Sequence, residues 1–362
     1  MTERIEVPAM STMLAGRLHL DTHTFAVEEV PLPVPGQGEV LVEVRAAGVC
    51  LSDVHLIDGS ITPSFPVDAV TNSHAVTLGH EVAGVVHTLG PDVQGMWTPG
   101  QRVVLQAGQA CGECGGCLRR MSCRQPLTRG VDYDGGWAQY AIAREDTLVL
   151  IPDGLPFDQA AIIPDAVATP YAAIVETGAV RPAQAVGIWG GGGLGAHGIR
   201  LARMVGAAPV IAVDPLPSAR ERALAFGADV ALDPTAADFA EAVDEVTGGR
   251  GIDIAFDFAG VPAARAQATA VLGPEGVLVL AGLTPEPITI TDSTGFCFQG
   301  NQIRGHYGSA PEHVEQLIGL TAAGRIDLAP SITAHIPLAE AADAVARLEK
   351  KVGDPIRFVL TP

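Results

Sequence analysis

The chain has 362 residues, more than one hydrophobic core ordinarily holds, and 48% of them are hydrophobic, so two domains with separate cores are expected. Its 41 acidic against 22 basic residues give a net charge of −19, which argues against nucleic acid and anionic membranes as partners and otherwise reads as solubility. No apolar run approaches a membrane span, and Glu3, Arg4 and Glu6 interrupt the earliest apolar residues, so no secretory signal and a cytoplasmic location are expected. The six cysteines therefore read as thiols or metal ligands before disulfides.

The first third reads as short strands and turns. Arg17 to Leu20, Phe25 to Val30 and Val40 to Ala47 have β character, and Pro31, Pro33, Pro35, Gly36 and Gly38 punctuate them. Residues 60–76 carry Pro63, Pro66 and small polar residues without a period, as a surface insertion would. Cys50 opens the segment GVCLSDVH, which also holds Ser52, Asp53 and His55; Gly79-His80-Glu81 follows, and Asp165 stands much later in IIPDAVATPY. A thiolate, an imidazole and a carboxylate give zinc three ligands and leave a fourth position open, the form of a catalytic site. Taken singly, each residue also reads as ordinary core or surface chemistry.

Between them lie Cys111, Cys114, Cys117 and Cys123. Four thiolates close a tetrahedral shell, and the intervening glycines let a loop wrap one ion, so a structural zinc is expected over an iron–sulfur or redox cluster. Ala107, Tyr133 and Trp137 are candidate walls of a substrate pocket, with ordinary packing as the other reading.

The most informative stretch runs from Ala185 to Asp214. An apolar run to Trp189 is followed by Gly190, Gly191, Gly192, Gly193, Leu194 and Gly195, a helix-period segment, and a second apolar run from Val210 that ends at Asp214. Gly190, Gly192 and Gly195 satisfy G-x-G-x-x-G at a strand-to-helix junction, where a helix N-terminus faces a pyrophosphate. Asp214 stands where a carboxylate binds ribose hydroxyls, which favours NAD over NADP because it repels a 2′-phosphate. Arg220 is the nearest cation. His197 reads as packing, Cys297 between Phe296 and Phe298 as a buried thiol, Asp257 as the cap of a turn, and His306 as a neighbour of the nicotinamide side.

In this order the motifs GVCLSDVH, LGHEVAGVV, the cysteine lobe, DGGWAQYA, the glycine loop and GIDIAFDFAG resemble the zinc-containing alcohol dehydrogenases of the medium-chain dehydrogenase/reductase superfamily, over nearly the whole length. The resemblance implies an α/β chain: a GroES-like, β-rich catalytic domain over residues 1–159 and 304–362, and a doubly wound parallel-sheet (Rossmann) nucleotide domain over 160–303. It implies Cys50, His80 and Asp165 on a catalytic zinc, Glu81 behind it, and Asp53 holding the second nitrogen of His80. It further implies that Ser52 takes the alcohol proton, that a ribose hydroxyl passes it on, and that His55 releases it to solvent. Gly190, Gly192, Gly193, Leu194, Gly195, Asp214 and Thr169 would hold NAD, and Arg357 would pair with its pyrophosphate.

Leu51 departs from the family, which often has a cation there, and Cys117 to Cys123 is a shorter step than usual. The implied activity is hydride transfer between NAD(H) and an alcohol, aldehyde or ketone, with secondary or bulky apolar alcohols favoured, in a homodimer or homotetramer carrying two zinc ions per chain. A polyol or sugar-alcohol dehydrogenase, a zinc-free quinone or enone reductase, and a non-enzymatic nucleotide binder are the rival readings.

Overall fold

The computed structural model describes residues 11–63, 74–95, 97–121 and 123–362. The first ten residues and most of the 60–76 insertion lie outside them. The chain divides into two compact units, one of residues 1–164, 318–352 and 357–362, the other of 165–317 and 353–356. The boundaries between these units fall after Pro164 and Leu317, with residues 353–356 returning to the second. Side chains tie the later segment to the second unit: Tyr171 donates to Gln316 at 2.9 Å, and His306 bonds Thr177 at 2.8 Å.

The first unit is built on β-sheets. Its main sheet runs in the order Leu148–Leu150, Arg102–Leu105, Val82–Leu89, Glu39–Val49, Arg357–Thr361, Ile332–Pro337, with Tyr140–Arg144 also paired to Glu39–Val49. Glu39–Val49 is the hub, antiparallel to three partners. Its β-branched residues Val40, Val42 and Val44 are all buried, as a central strand requires. A smaller antiparallel sheet joins Thr24–Pro31, Thr12–His19 and Ala75–Thr77. The strands expected near residues 17, 25 and 40 are therefore present and longer than their sequence signals. The segment after Cys50 is helical, Leu51–Ile57, and interrupts this β-rich region.

Trp137 lies in this core. It is fully buried, donates its indole N–H to the Gly48 carbonyl at 2.9 Å, and meets Phe25 edge-on with ring centroids 5.7 Å apart. A side chain at Gly79 would come within 2.2 Å of the indole, so the glycine before His80 provides the room for Trp137.

The second unit holds a six-stranded, all-parallel sheet in the order Val230–Leu232, Val210–Val213, Val186–Trp189, Ile252–Asp257, Leu272–Leu280, Gln302–Gly305. Counted in chain order this is 3-2-1-4-5-6, the doubly wound dinucleotide arrangement, whose ligand crevice lies at the carboxyl ends of the strands where the order reverses. Val186–Trp189 and Val210–Val213 are buried throughout, as parallel strands covered on both faces must be. Asp257 ends its strand and caps a turn as the sequence suggests. It accepts the backbone N–H groups of Ala259 and Gly260 and a 2.7 Å bond from buried Arg265.

Cys297 is not buried. Its helix, Ser293–Phe298, is a short surface turn with no buried residue, and the flanking Phe298 is 89% exposed. Two neighbouring aromatics signal a core only where another element covers them.

Trp137→Ala should cost about 3–5 kcal/mol, the usual loss for a buried aromatic. Denaturant unfolding followed by circular dichroism measures it, and a loss below about 1 kcal/mol would contradict the packing described.

Candidate active site and metal centres

Cys50 and Asp53 are brought together by the start of the helix Leu51–Ile57. Cys50 is its N-cap, and Asp53 turns back to accept the Cys50 backbone N–H at 2.9 Å. The other oxygen of Asp53 faces Nδ1 of His80 at 3.7 Å. Complete burial pushes the Asp53 carboxyl up, while His80, the Cys50 N–H and Arg357 draw it back down. One carboxylate thus caps the helix and orients the imidazole.

Glu81 is fully buried, and its charge is met by Arg357, whose Nη2 lies 3.1 Å from its Oε1. Gly48 makes space for that carboxylate: a Cβ there would fall 1.8 Å from Glu81 Oε2. Arg357 also donates to the Val49 carbonyl at 3.3 Å and is only 3% exposed. Arg357, the arginine expected at a pyrophosphate, is here a buried counter-ion of Glu81. Donor atoms of Cys50, His80 and Glu81 lie within 4.8 Å of one another, close enough to share one ion. The mixture of thiolate, imidazole and carboxylate suits zinc.

On the same helix Ser52 Oγ sits 3.7 Å from Cys50 Sγ, and His55 stands one turn further on. His55 is 42% exposed, and its Nδ1 bonds Ser60 Oγ at 3.2 Å beside Asp58. Positions 52 and 55 share a helix face, which leads from the buried thiol to solvent. Leu51 points outward and is exposed.

The cysteine lobe forms a second centre. The sulfur separations are 3.9 Å for Cys111 and Cys117, 3.5 Å for Cys114 and Cys117, 3.9 Å for Cys114 and Cys123, and 3.6 Å for Cys111 and Cys123. Four sulfurs about 2.3 Å from one zinc stand about 3.8 Å apart at the corners of a tetrahedron. The thiols match that spacing, Cys123 among them despite the short step from Cys117. Backbone N–H groups of Cys114, Cys117, Arg124, Cys111 and Gln125 point at these sulfurs and favour thiolates. Bonds from Arg124 and Cys117 draw Cys114 down to about 6, whereas desolvation and the neighbouring sulfurs push Cys117 up to about 12.

In the second unit the three glycines of the loop meet three separate demands. Gly190 has φ +93°, a left-handed turn directly after the strand. Gly195 packs so tightly that a Cβ would lie 1.7 Å from the Gly190 carbonyl oxygen. Gly192, N-cap of the helix Gly193–Met204, has nothing within 4 Å of a would-be Cβ, the open approach a pyrophosphate needs. Asp214 is half-buried and accepts the N–H groups of Gly191 at 2.8 Å and Leu216 at 2.9 Å. A carboxylate has capacity beyond two bonds, enough for a ribose diol. Arg220 is engaged with the carbonyls of Asp214 and Pro215 and with Asp233, so it is a poor receptor for a 2′-phosphate. His197 is buried and bonds the Gly193 carbonyl at 2.7 Å, a packing role.

Asp165 lies in a wide, π-type turn, Ile163–Val167, and Thr169 in the short helix Ala168–Ala172 that follows. Pro170 explains the wide turn, because proline lacks the N–H that a regular helix would offer to residue 166 and its ring crowds that carbonyl. Leu194 is partly exposed at the start of the helix that follows the glycines. Of the other candidate pocket residues, Ala107 is partly exposed, while Tyr133 is pressed under the Arg129 guanidinium, 5.1 Å from its ring centroid. Gly48, Thr177 and the Glu81–Arg357 pairing had no sequence signal of their own.

Comparison with known proteins agrees with both units. Residues 36–153 match the family described as the alcohol dehydrogenase GroES-like domain, and residues 193–323 the zinc-binding dehydrogenase family. L-threonine 3-dehydrogenase of Pyrococcus horikoshii is 32% identical over 84% of this chain and 86% of its own length. NDMA-dependent alcohol dehydrogenase of Amycolatopsis methanolica is 32% identical over 90% of this chain and 93% of its own. A solved structure from Sinorhizobium meliloti 1021, described as a zinc-binding dehydrogenase bound to NADP, superposes with a TM-score of 0.87 at 29% identity, covering 97% of this chain and all of that one. The chain belongs to the zinc-type alcohol dehydrogenase family of medium-chain dehydrogenases. No helix among the described residues is long and apolar enough to cross a membrane.

Cys123→Ser should lower bound zinc by one ion per chain, measured by elemental analysis; unchanged zinc would remove Cys123 from the shell. Gly195→Ala should destabilise the second unit by about 1–3 kcal/mol through overpacking, whereas Gly192→Ala should keep the melting temperature and weaken dinucleotide binding. Equal melting temperatures for the two variants would contradict the distinct roles given to these glycines.

Proposed function

We propose that this chain is an NAD-dependent zinc alcohol dehydrogenase that moves hydride between NAD(H) and an alcohol or its matching ketone or aldehyde. The observation that carries the reading is the buried donor group around Cys50. Asp165 is proposed as the third protein ligand with Cys50 and His80, because a carboxylate beside a thiolate and an imidazole makes up a three-ligand set that leaves zinc an open fourth position. Zinc held there supplies a Lewis acid that lowers the pKa of an alcohol hydroxyl, and NAD supplies the hydride acceptor.

The chain's own groups do the rest. With Nδ1 of His80 turned to Asp53, the other ring nitrogen is left for the metal, and Asp53 fixes that tautomer. Ser52 takes the hydroxyl proton, and His55, half in solvent, releases it. Glu81, paired with Arg357, stands behind the ligands as a second carboxylate. Cys111, Cys114, Cys117 and Cys123 hold the structural zinc. Asp214 receives the ribose and excludes a 2′-phosphate, so NAD is preferred although a relative was solved with NADP. Gly190, Gly192, Gly193 and Gly195 admit the pyrophosphate, and Leu194 and Thr169 face the nicotinamide. The small, partly exposed Ala107 supports secondary or bulky apolar alcohols as substrates. A cytoplasmic homodimer or homotetramer is the proposed working form.

NADH formation across primary, secondary, aromatic and polyol alcohols and L-threonine, with NAD and NADP in parallel, tests the reading. Turnover that prefers NAD and is lost on chelation is expected. Ser52→Ala should lower kcat by about 10²–10⁴-fold with zinc retained. Turnover that survives complete zinc removal would overturn the metal assignment, and no turnover on any alcohol would favour a reductase or a non-enzymatic binder.

A further inference from the structure

Asp165 and Thr169 stand four residues apart, across the wide turn that Pro170 imposes. Thr169 is almost fully buried, and its hydroxyl donates to Asp165 Oδ1 at 2.7 Å. Its backbone is held from the other side by His306, whose Nε2 lies 3.0 Å from the Thr169 carbonyl oxygen. A carbonyl only accepts, so Nε2 carries the proton. In the neutral ring Nδ1 then accepts from Thr177 Oγ1 at 2.8 Å, in the second wide turn, Ala173–Thr177. Burial lowers the His306 pKa and favours this neutral ring. The edge strand Gln302–Gly305 delivers His306 to the turn, and Arg304 on that strand donates to the Thr177 carbonyl at 2.8 Å.

We infer that Thr169 is a positioning residue for Asp165: its hydroxyl fixes the rotation of the carboxylate, and His306 fixes Thr169. The inference rests on the proposed ligand role of Asp165 and adds a reason for a threonine at 169 beyond contact with a nicotinamide. A carboxylate turns about its last bond and can meet an ion through either oxygen or both. A hydroxyl bonded to Oδ1 removes that freedom, in the way that groups behind a metal ligand set its orientation and affinity. A thiolate at 165 has a single donor atom and no such rotation to restrain, so the need for the hydroxyl is specific to aspartate.

Five variants test this: Thr169→Val, which keeps the shape and removes the hydroxyl; Thr169→Ser, which restores the hydroxyl; Asp165→Ala, which identifies the zinc ion held by residue 165; and Asp165→Cys, alone and combined with Thr169→Val. The readout is zinc remaining per chain during titration with a competing chelator, beside the melting temperature. Thr169→Val should weaken the ion that Asp165→Ala loses by about 10–100-fold. Thr169→Ser should recover most of that loss, and Thr169→Val should have no effect on zinc in the Asp165→Cys background. Wild-type zinc affinity in Thr169→Val, or an equal loss beside Asp165→Cys, would overturn the inference while leaving Asp165 as a ligand. Full zinc in Asp165→Ala would overturn the ligand assignment itself, and the inference with it.

Discussion

The buried ion pair between Arg357 and Glu81 is the constraint on which the first unit turns. Two charges taken out of water are tolerated only when each meets the other, and losing one partner of such a pair costs about 3–5 kcal/mol. Arg357 begins the C-terminal strand Arg357–Thr361, which pairs with Glu39–Val49, the strand that in turn pairs with Val82–Leu89 just after Glu81. The final strand therefore joins Glu39–Val49 to Ile332–Pro337 in the sheet and supplies the site with its counter-charge. Until it docks, Glu81 is a carboxylate without its guanidinium in a core built around it. Gly48, on the hub strand, is the space that this arrangement requires.

The same economy governs Asp53. A carboxylate buried completely in the first turn of a helix is held by a backbone N–H, an imidazole and a more distant guanidinium. It closes the first turn of the helix that carries Ser52 and His55 and directs the ring of His80. The candidate ligands Cys50 and His80 thus stand at the cap of a helix and just ahead of the strand Val82–Leu89, and Asp53 behind them faces the ring of His80. The second unit solves a different problem, admitting a charged cofactor to bare backbone. It does so with one left-handed residue, one close contact and one open approach.

What could be read from the sequence follows from how local each requirement is. The glycine loop, the strand before it and Asp214 were legible because a phosphate site on backbone demands glycine at fixed steps within a few residues. The cysteine lobe was legible because all four thiols fall within one loop. Trp137 was not: an indole beside glycines reads alike whether the glycines open a pocket or make room for the ring. Cys297 misled because flanking phenylalanines describe composition, whereas burial depends on what packs above them. The pairing of Arg357 with Glu81 was hidden, because the two are brought together only by strand pairing across the whole chain. The bond from Thr169 to Asp165 was hidden for a related reason, since it depends on a turn widened by Pro170.

The central claim is that one chain holds two unlike zinc centres, one of four sulfurs and one with a single sulfur. X-ray absorption at the zinc edge of the purified, fully loaded protein measures this directly. The account predicts two zinc ions per chain with an average of about two and a half sulfur neighbours each at about 2.3 Å, the remainder being nitrogen and oxygen. A single zinc surrounded by four sulfurs would contradict it, because the proposed ligands Cys50, His80 and Asp165 would then hold no zinc.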